Sequence, residues 1–185
     1  MKKFVAVFML VFALGLTAKA QEPMFNVGDK VVNLGIGFGT GYGLYYKTTI
    51  PPLSASFEMG VKDGILEKGS LGVGGYLGFS SYTYRTSWYG GTYGWNYTNI
   101  ILGARGVFHY PFVEKLDTYT GLLLGFRVVT STEYGTVGTY SNPTNSGLAY
   151  SWFVGGRYYF TDKLAGMLEL GYGISYLNLG IAIKL

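Results

Sequence analysis

Leu53-Ser54-Ala55-Ser56-Phe57-Glu58-Met59-Gly60-Val61-Lys62 alternates apolar and polar side chains from end to end. Successive residues of a β-strand point to opposite faces, so this stretch has one wholly apolar face and one carrying Ser, Glu, Gly and Lys. The same order on a helix would spread the apolar residues around the whole circumference. Seven further segments repeat the pattern. Upstream, Val32, Leu34, Ile36 and Phe38 alternate with Asn33, Gly35 and Gly37. Downstream, comparable runs occupy Leu71 to Ser80, Asn99 to Tyr110, Gly121 to Val128, Tyr150 to Phe160, Leu164 to Ile174 and Leu179 to Leu185, each bounded by Gly, Pro, Asn, Asp or Ser.

Composition says what surrounds these strands. Charged residues make up 13% of the chain against roughly 25% in soluble domains, so much of the surface does not face water. After the first twenty residues no apolar run approaches the length of a spanning helix, which leaves a closed barrel as the way to satisfy every backbone group in lipid. A soluble eight-stranded barrel would also alternate, but its outer face would be crowded with Lys and Glu. Here the polar face is mainly Gly, Ser and Asn, which suits the cramped interior of a small barrel. The expectation is an all-β, eight-stranded antiparallel up-and-down transmembrane β-barrel, with Tyr110, Tyr158 and Phe160 in an aromatic girdle.

The N-terminus reads as an export signal: Lys2 and Lys3, an apolar run from Phe4 to Leu16, then Ala18-Lys19-Ala20. Cleavage near Ala20 predicts residues 1–20 as signal peptide and 21–185 as the barrel domain. Losing Lys2, Lys3 and Lys19 from 14 basic side chains leaves 11 against 10 acidic ones. No basic patch remains for nucleic acid. The absence of Cys excludes disulfides, thiolate metal sites and a lipid-anchored N-terminal cysteine.

The connections alternate in character. Those around Asp63 to Gly69, Pro111 to Asp117 and Thr161 to Lys163 are short and charged, as periplasmic turns are. Gly39 to Pro51, Tyr84 to Trp95 and Ser131 to Gly147 are longer and rich in Gly, Thr, Ser and Tyr, and are expected as outer loops, with a tight turn near Ser175.

The whole of residues 21–185 resembles the small outer-membrane barrels, the superfamily of outer membrane protein X, outer membrane protein W and the barrel of outer membrane protein A. The resemblance is carried by Arg105 to Gly121, by Gly155 to Lys163 and by Glu169-Leu170-Gly171-Tyr172-Gly173. Asn178, Gly180, Ile183 and Leu185 are similar to the C-terminal signal read by the outer-membrane insertion machinery, although Leu185 stands where family members usually have an aromatic residue. The resemblance implies an outer-membrane location, outer-membrane lipids including lipopolysaccharide as neighbours, and a monomer.

Counting up from the periplasmic turns places Glu58, Arg105, Arg157 and Glu169 on the interior face, roughly 10 Å into the barrel, with Arg127 higher. Charge at that depth must be paired and face inward, so a lumenal ion network is expected in which two carboxylates bridge two or three guanidiniums. It is either a plug that satisfies interior charge or a gate, and the filled interior of eight strands favours the plug. His109, the one histidine, lies beside Tyr110-Pro111 and is expected at a turn or interface, which disfavours a lipid-modifying enzyme. No cofactor or metal is implied. Tyr84, Trp88, Tyr89, Tyr93 and Trp95, interleaved with Gly, are candidate surface contacts or anchors of the upper girdle. The resulting expectation is a structural or adhesion-type surface role, with a narrow channel for ions or small apolar solutes as the alternative.

Overall fold

The computed structural model describes residues 23–39, 46–88, 91–135 and 144–185, with only the backbone of Trp88. The proposed signal peptide therefore lies outside the described residues. Eight strands are formed: β1 (Lys30–Phe38), β2 (Tyr46–Ile65), β3 (Gly69–Trp88), β4 (Gly91–Val113), β5 (Leu116–Gly135), β6 (Gly147–Tyr159), β7 (Leu164–Gly171) and β8 (Leu177–Lys184). Each pairs antiparallel with its sequence neighbour, and β1 closes the ring on β8 from Val31↔Lys184 to Phe38↔Leu177. A closed ring leaves no sheet edge along its lower wall, which is the condition for crossing lipid with strands.

The alternation of β2 sorts its side chains as the sequence requires. Phe57 is 42% exposed on the outer face while its neighbour Glu58 is 1% exposed in the lumen. Leu102, Leu122 and Leu124, all at least 65% exposed, continue the outer belt. Leucines presented in this way across adjacent strands face hydrocarbon, since water would drive them together.

The wall is uneven. β2 to β5 run 20 to 23 residues, whereas β1, β7 and β8 have 8 or 9. This corrects the outer loops expected from sequence. Residues 46–51 belong to β2, β5 continues to Gly135, and Tyr84 to Trp95 is the upper part of a ladder that runs to Trp88↔Gly91. The β2–β3 register shifts between Ile50 and Leu53, where Pro51 and Pro52 have no N–H to give the ladder.

Candidate functional site

The lumen is packed in layers. Near the mouth at the Glu114–Lys115 turn end of the barrel, Glu58 from β2, His109 from β4, Asp117 from β5 and Arg157 from β6 converge, each at most 3% exposed. Arg157 donates through Nη2 to Glu58 and through Nη1 to Asp117 Oδ2 at 3.1 Å. His109 closes the cycle, with Nδ1 2.8 Å from Asp117 Oδ1 and Nε2 against Glu58. Each carboxylate thus bridges the same arginine and the same histidine. Slightly higher, Arg105 Nη2 meets Glu169 Oε2 at 2.6 Å and its guanidinium lies 4.0 Å from the centre of the Phe153 ring. Tyr119 joins the two groups: its hydroxyl donates to Glu169 at 3.3 Å, and the Arg157 guanidinium sits over its ring.

Below this layer the chain seals its own mouth. Residues 23–29 cross the opening, and Phe25, 1% exposed, stacks on His109 with ring centres 4.1 Å apart. This strap is fixed on all sides. Ser70 Oγ donates to the Phe25 carbonyl at 2.8 Å, Val27 N donates to Asp63 Oδ1 at 2.8 Å, and Gly28 N donates to the Gly60 carbonyl at 3.0 Å. Lys184 on β8 pairs with Asp29 at 2.7 Å and donates to the Met24 carbonyl at 3.1 Å. Only glycine fits at Gly60, because a Cβ there would lie 2.0 Å from the Asn26 carbonyl oxygen. At Gly72 a Cβ would fall 2.5 Å from Glu58 and 3.1 Å from the Phe25 ring.

Above the charge layer, Tyr76, Ile101, Leu123, Ala149 and Phe153 form an apolar cluster into which Ile174, from the β7–β8 connection, turns inward. The space between Ile174 and the Arg105–Glu169 pair is about 20 Å³, room for a single water.

Glu58, Arg105, Arg157 and Glu169 are therefore drawn into contacts with one another, but in two groups rather than one. Two corrections follow. Arg127 is not in the network: no carboxylate among the described residues pairs with it, and it stands opposite Gly147, ten residues up β6 from Arg157. His109 is not a turn or interface residue. Pro111 suggested a chain reversal there, yet β4 runs on to Val113 and the turn falls at Glu114–Lys115, where Lys115 has φ +61°. His109 thus keeps the inward parity of Arg105. Both ring nitrogens are occupied by carboxylates, and among the described residues no group of His, Asp and Glu is arranged to hold a metal ion. Sequence reading also passed over Asp117, although its parity matches Tyr119, and over Phe25.

Of the aromatic candidates, Tyr89 lies outside the described residues and the Trp88 side chain is not described. Tyr84, Tyr93 and Trp95 lie on the inner-facing side of the upper ladder, with Tyr84 and Trp95 rings 5.9 Å apart, Tyr93 and Trp95 5.8 Å, and Trp95 Nε1 donating to Glu133 at 3.2 Å. Tyr46, Tyr82 and Tyr97 extend the same face, Tyr82 stacking on Tyr97 at 5.0 Å.

No family model matches the chain, and no curated protein matches it. Among solved structures, the outer membrane protein OprG of Pseudomonas aeruginosa is 10% identical, with 89% of this chain aligned to 99% of that one at a TM-score of 0.52. The chain has the fold of the eight-stranded outer-membrane β-barrels. Ail, the attachment invasion locus protein of Yersinia pestis, in complex with the heparin analogue sucrose octasulfate, is 12% identical over 85% of this chain and 95% of that one, at a TM-score of 0.48. The N-terminal β-barrel domain of OprF from Pseudomonas aeruginosa is 14% identical over 86% and 98%, at 0.45. In this barrel Asn178 faces the lumen and donates to Ser54 Oγ at 2.6 Å, Gly180 pairs with Gly35 of β1, and Ile183 and Leu185 lie exposed on the outer face.

Proposed function

We propose that this outer-membrane barrel is closed to solutes and acts through the sheet that stands above the membrane, in a structural or adhesion-type role and without catalysis. The carrying observation is the double seal. The strap of residues 23–29 stacks Phe25 on the charge layer from below, and Ile174 covers it from above. A narrow path for ions or small apolar solutes would require both to leave. With the lumen filled, the distinctive chemistry left at the open end is the upper β3–β4 ladder, whose half-buried Tyr84, Tyr93 and Trp95 offer aromatic faces with polar tips suited to sugars or protein surfaces. On the same reading the C-terminal Asn178, Gly180, Ile183 and Leu185 serve the insertion machinery, and the protein works as a monomer among lipopolysaccharide.

The test is attachment. Bacteria that do not adhere are given the wild-type protein, or a variant in which residues 85–94 are replaced by an Asn-Gly turn between the paired Tyr84 and Trp95. The expected result is wild-type attachment to a glycan or matrix-protein surface and its loss in the variant at equal surface level. Equal attachment by both, or none by the wild type, would overturn the adhesion-type role.

A further inference from the structure

The low side of the wall opens a seam at the level where the barrel leaves the hydrocarbon. β5 and β6 stay paired up to Arg127↔Gly147, but the β6–β7 ladder stops at Phe153↔Gly171. Among the described residues, 147–152 therefore have a partner strand on one side only. The chain after Gly171 turns into the lumen to bury Ile174, and a single side-chain bond, Ser151 Oγ to the Tyr172 carbonyl, crosses the seam. A cavity of about 920 Å³ lies in this seam, lined by the outward-facing Tyr150, Trp152 and Tyr172 and by Arg127, Ser151 and Ile174 of the inner face. That volume lies in the range of small-molecule sites, and the lipid side of the cavity is open, Tyr150 being 82% exposed.

Arg127 lines the inner side of this cavity. It stands eleven residues above the start of β5 at Leu116, roughly 29 Å at about 3.4 Å per residue and about 40° of tilt. This is the upper margin of an apolar band about 25 Å tall, where lipid head groups begin. No carboxylate among the described residues pairs with it, and its Nε is buried without a partner. A guanidinium is a planar fork of donors that suits phosphate. A cation at head-group depth, facing a cleft whose open side is lipid, is complementary to an anionic head with its chain laid outside.

We propose that this seam binds a net-negative phospholipid or glycolipid of the surrounding outer leaflet, its phosphate on Arg127 and its chain across Tyr150, Trp152 and Tyr172. The site is independent of any role of the upper sheet. Trp152 reports on it directly, since its Nε1 donates to Thr120 Oγ1 at 2.9 Å and holds the indole beside the cavity.

The test uses the full barrel with Trp88→Phe and Trp95→Phe, leaving Trp152 as the sole indole of the three. It is reconstituted in phosphatidylcholine bilayers with small mole fractions of brominated phosphatidylglycerol, brominated phosphatidylcholine or dibromostearate. The expected result is quenching of Trp152 by the anionic phospholipid at roughly fivefold lower mole fraction than by the zwitterionic one. Arg127→Gln should abolish that preference, and Arg85→Gln on the outer sheet should keep it, with both variants retaining the heat-modifiable mobility of a folded barrel. Equal quenching by the two phospholipids, a preference that survives Arg127→Gln, or selective quenching by dibromostearate alone would each overturn the proposal.

Discussion

Arg157 and Arg127 stand on neighbouring strands and face the same interior, yet their surroundings follow opposite rules. Around Arg157, two carboxylates and a histidine complete a closed cycle, an aromatic strap covers it, and fractional exposure is zero. Around Arg127 no acidic partner is present among the described residues and the wall itself is interrupted. In the lower lumen the charges are paired with one another across β2, β4, β5, β6 and β7. The upper rim leaves Arg127 without a carboxylate partner among the described residues, and this is the guanidinium that the proposed lipid contact uses. A buried pair is destabilising to break but not intrinsically stabilising to own, so removing single partners is the sharpest probe of this contrast.

The largest expected effect is from Arg157→Ala, which strands Glu58 and Asp117 face to face in the sealed mouth. It should cost about 3–5 kcal/mol, read from the urea midpoint of the refolded barrel in lipid, whereas Arg127→Ala should cost at most about 1 kcal/mol. Comparable losses at the two positions would erase the distinction. Next is Phe25→Ala, expected to cost about 3 kcal/mol and to make residues 23–29 cleavable by protease added from the periplasmic side. Gly60→Ala should expose the same segment with a smaller loss, about 1–3 kcal/mol, because its Cβ pushes against the Asn26 carbonyl while the barrel wall is untouched. The smallest effect belongs to the upper sheet: Trp95→Phe loses one bond to Glu133 above the membrane and should shift stability by no more than about 0.5 kcal/mol.

Much of this was legible in the sequence because lipid makes the period-two code strict. Leu53 to Lys62 could be assigned face by face, and the inward parity of Glu58, Arg105, Arg157 and Glu169 followed from counting. Four parts were not legible, for different physical reasons. Tyr84 to Trp95 has the Gly, Thr and Tyr composition of a loop, which masks the strand parity kept by Tyr82, Tyr84, Tyr93, Trp95 and Tyr97. Pro111 makes His109 read as a turn residue, whereas the end of the β4–β5 ladder near its hairpin tolerates proline. Which carboxylates reach Arg157, and that none of the described ones reaches Arg127, depends on the relative heights of strands around the ring, which barrel shear sets and no single strand encodes. Residues 23–29 have no periodicity, and their fold is dictated by the mouth they cover.

Single-channel conductance of the refolded protein in a planar bilayer tests the closed lumen most directly, comparing the wild type with a variant lacking residues 23–29 and carrying Arg157→Ala, Glu58→Ala and Ile174→Ala. The wild type is expected to be silent, with openings only once the strap, the charge cycle and the Ile174 cover are all removed. Steady conductance by the wild type would contradict it and turn the charge layer from a plug into a selectivity filter.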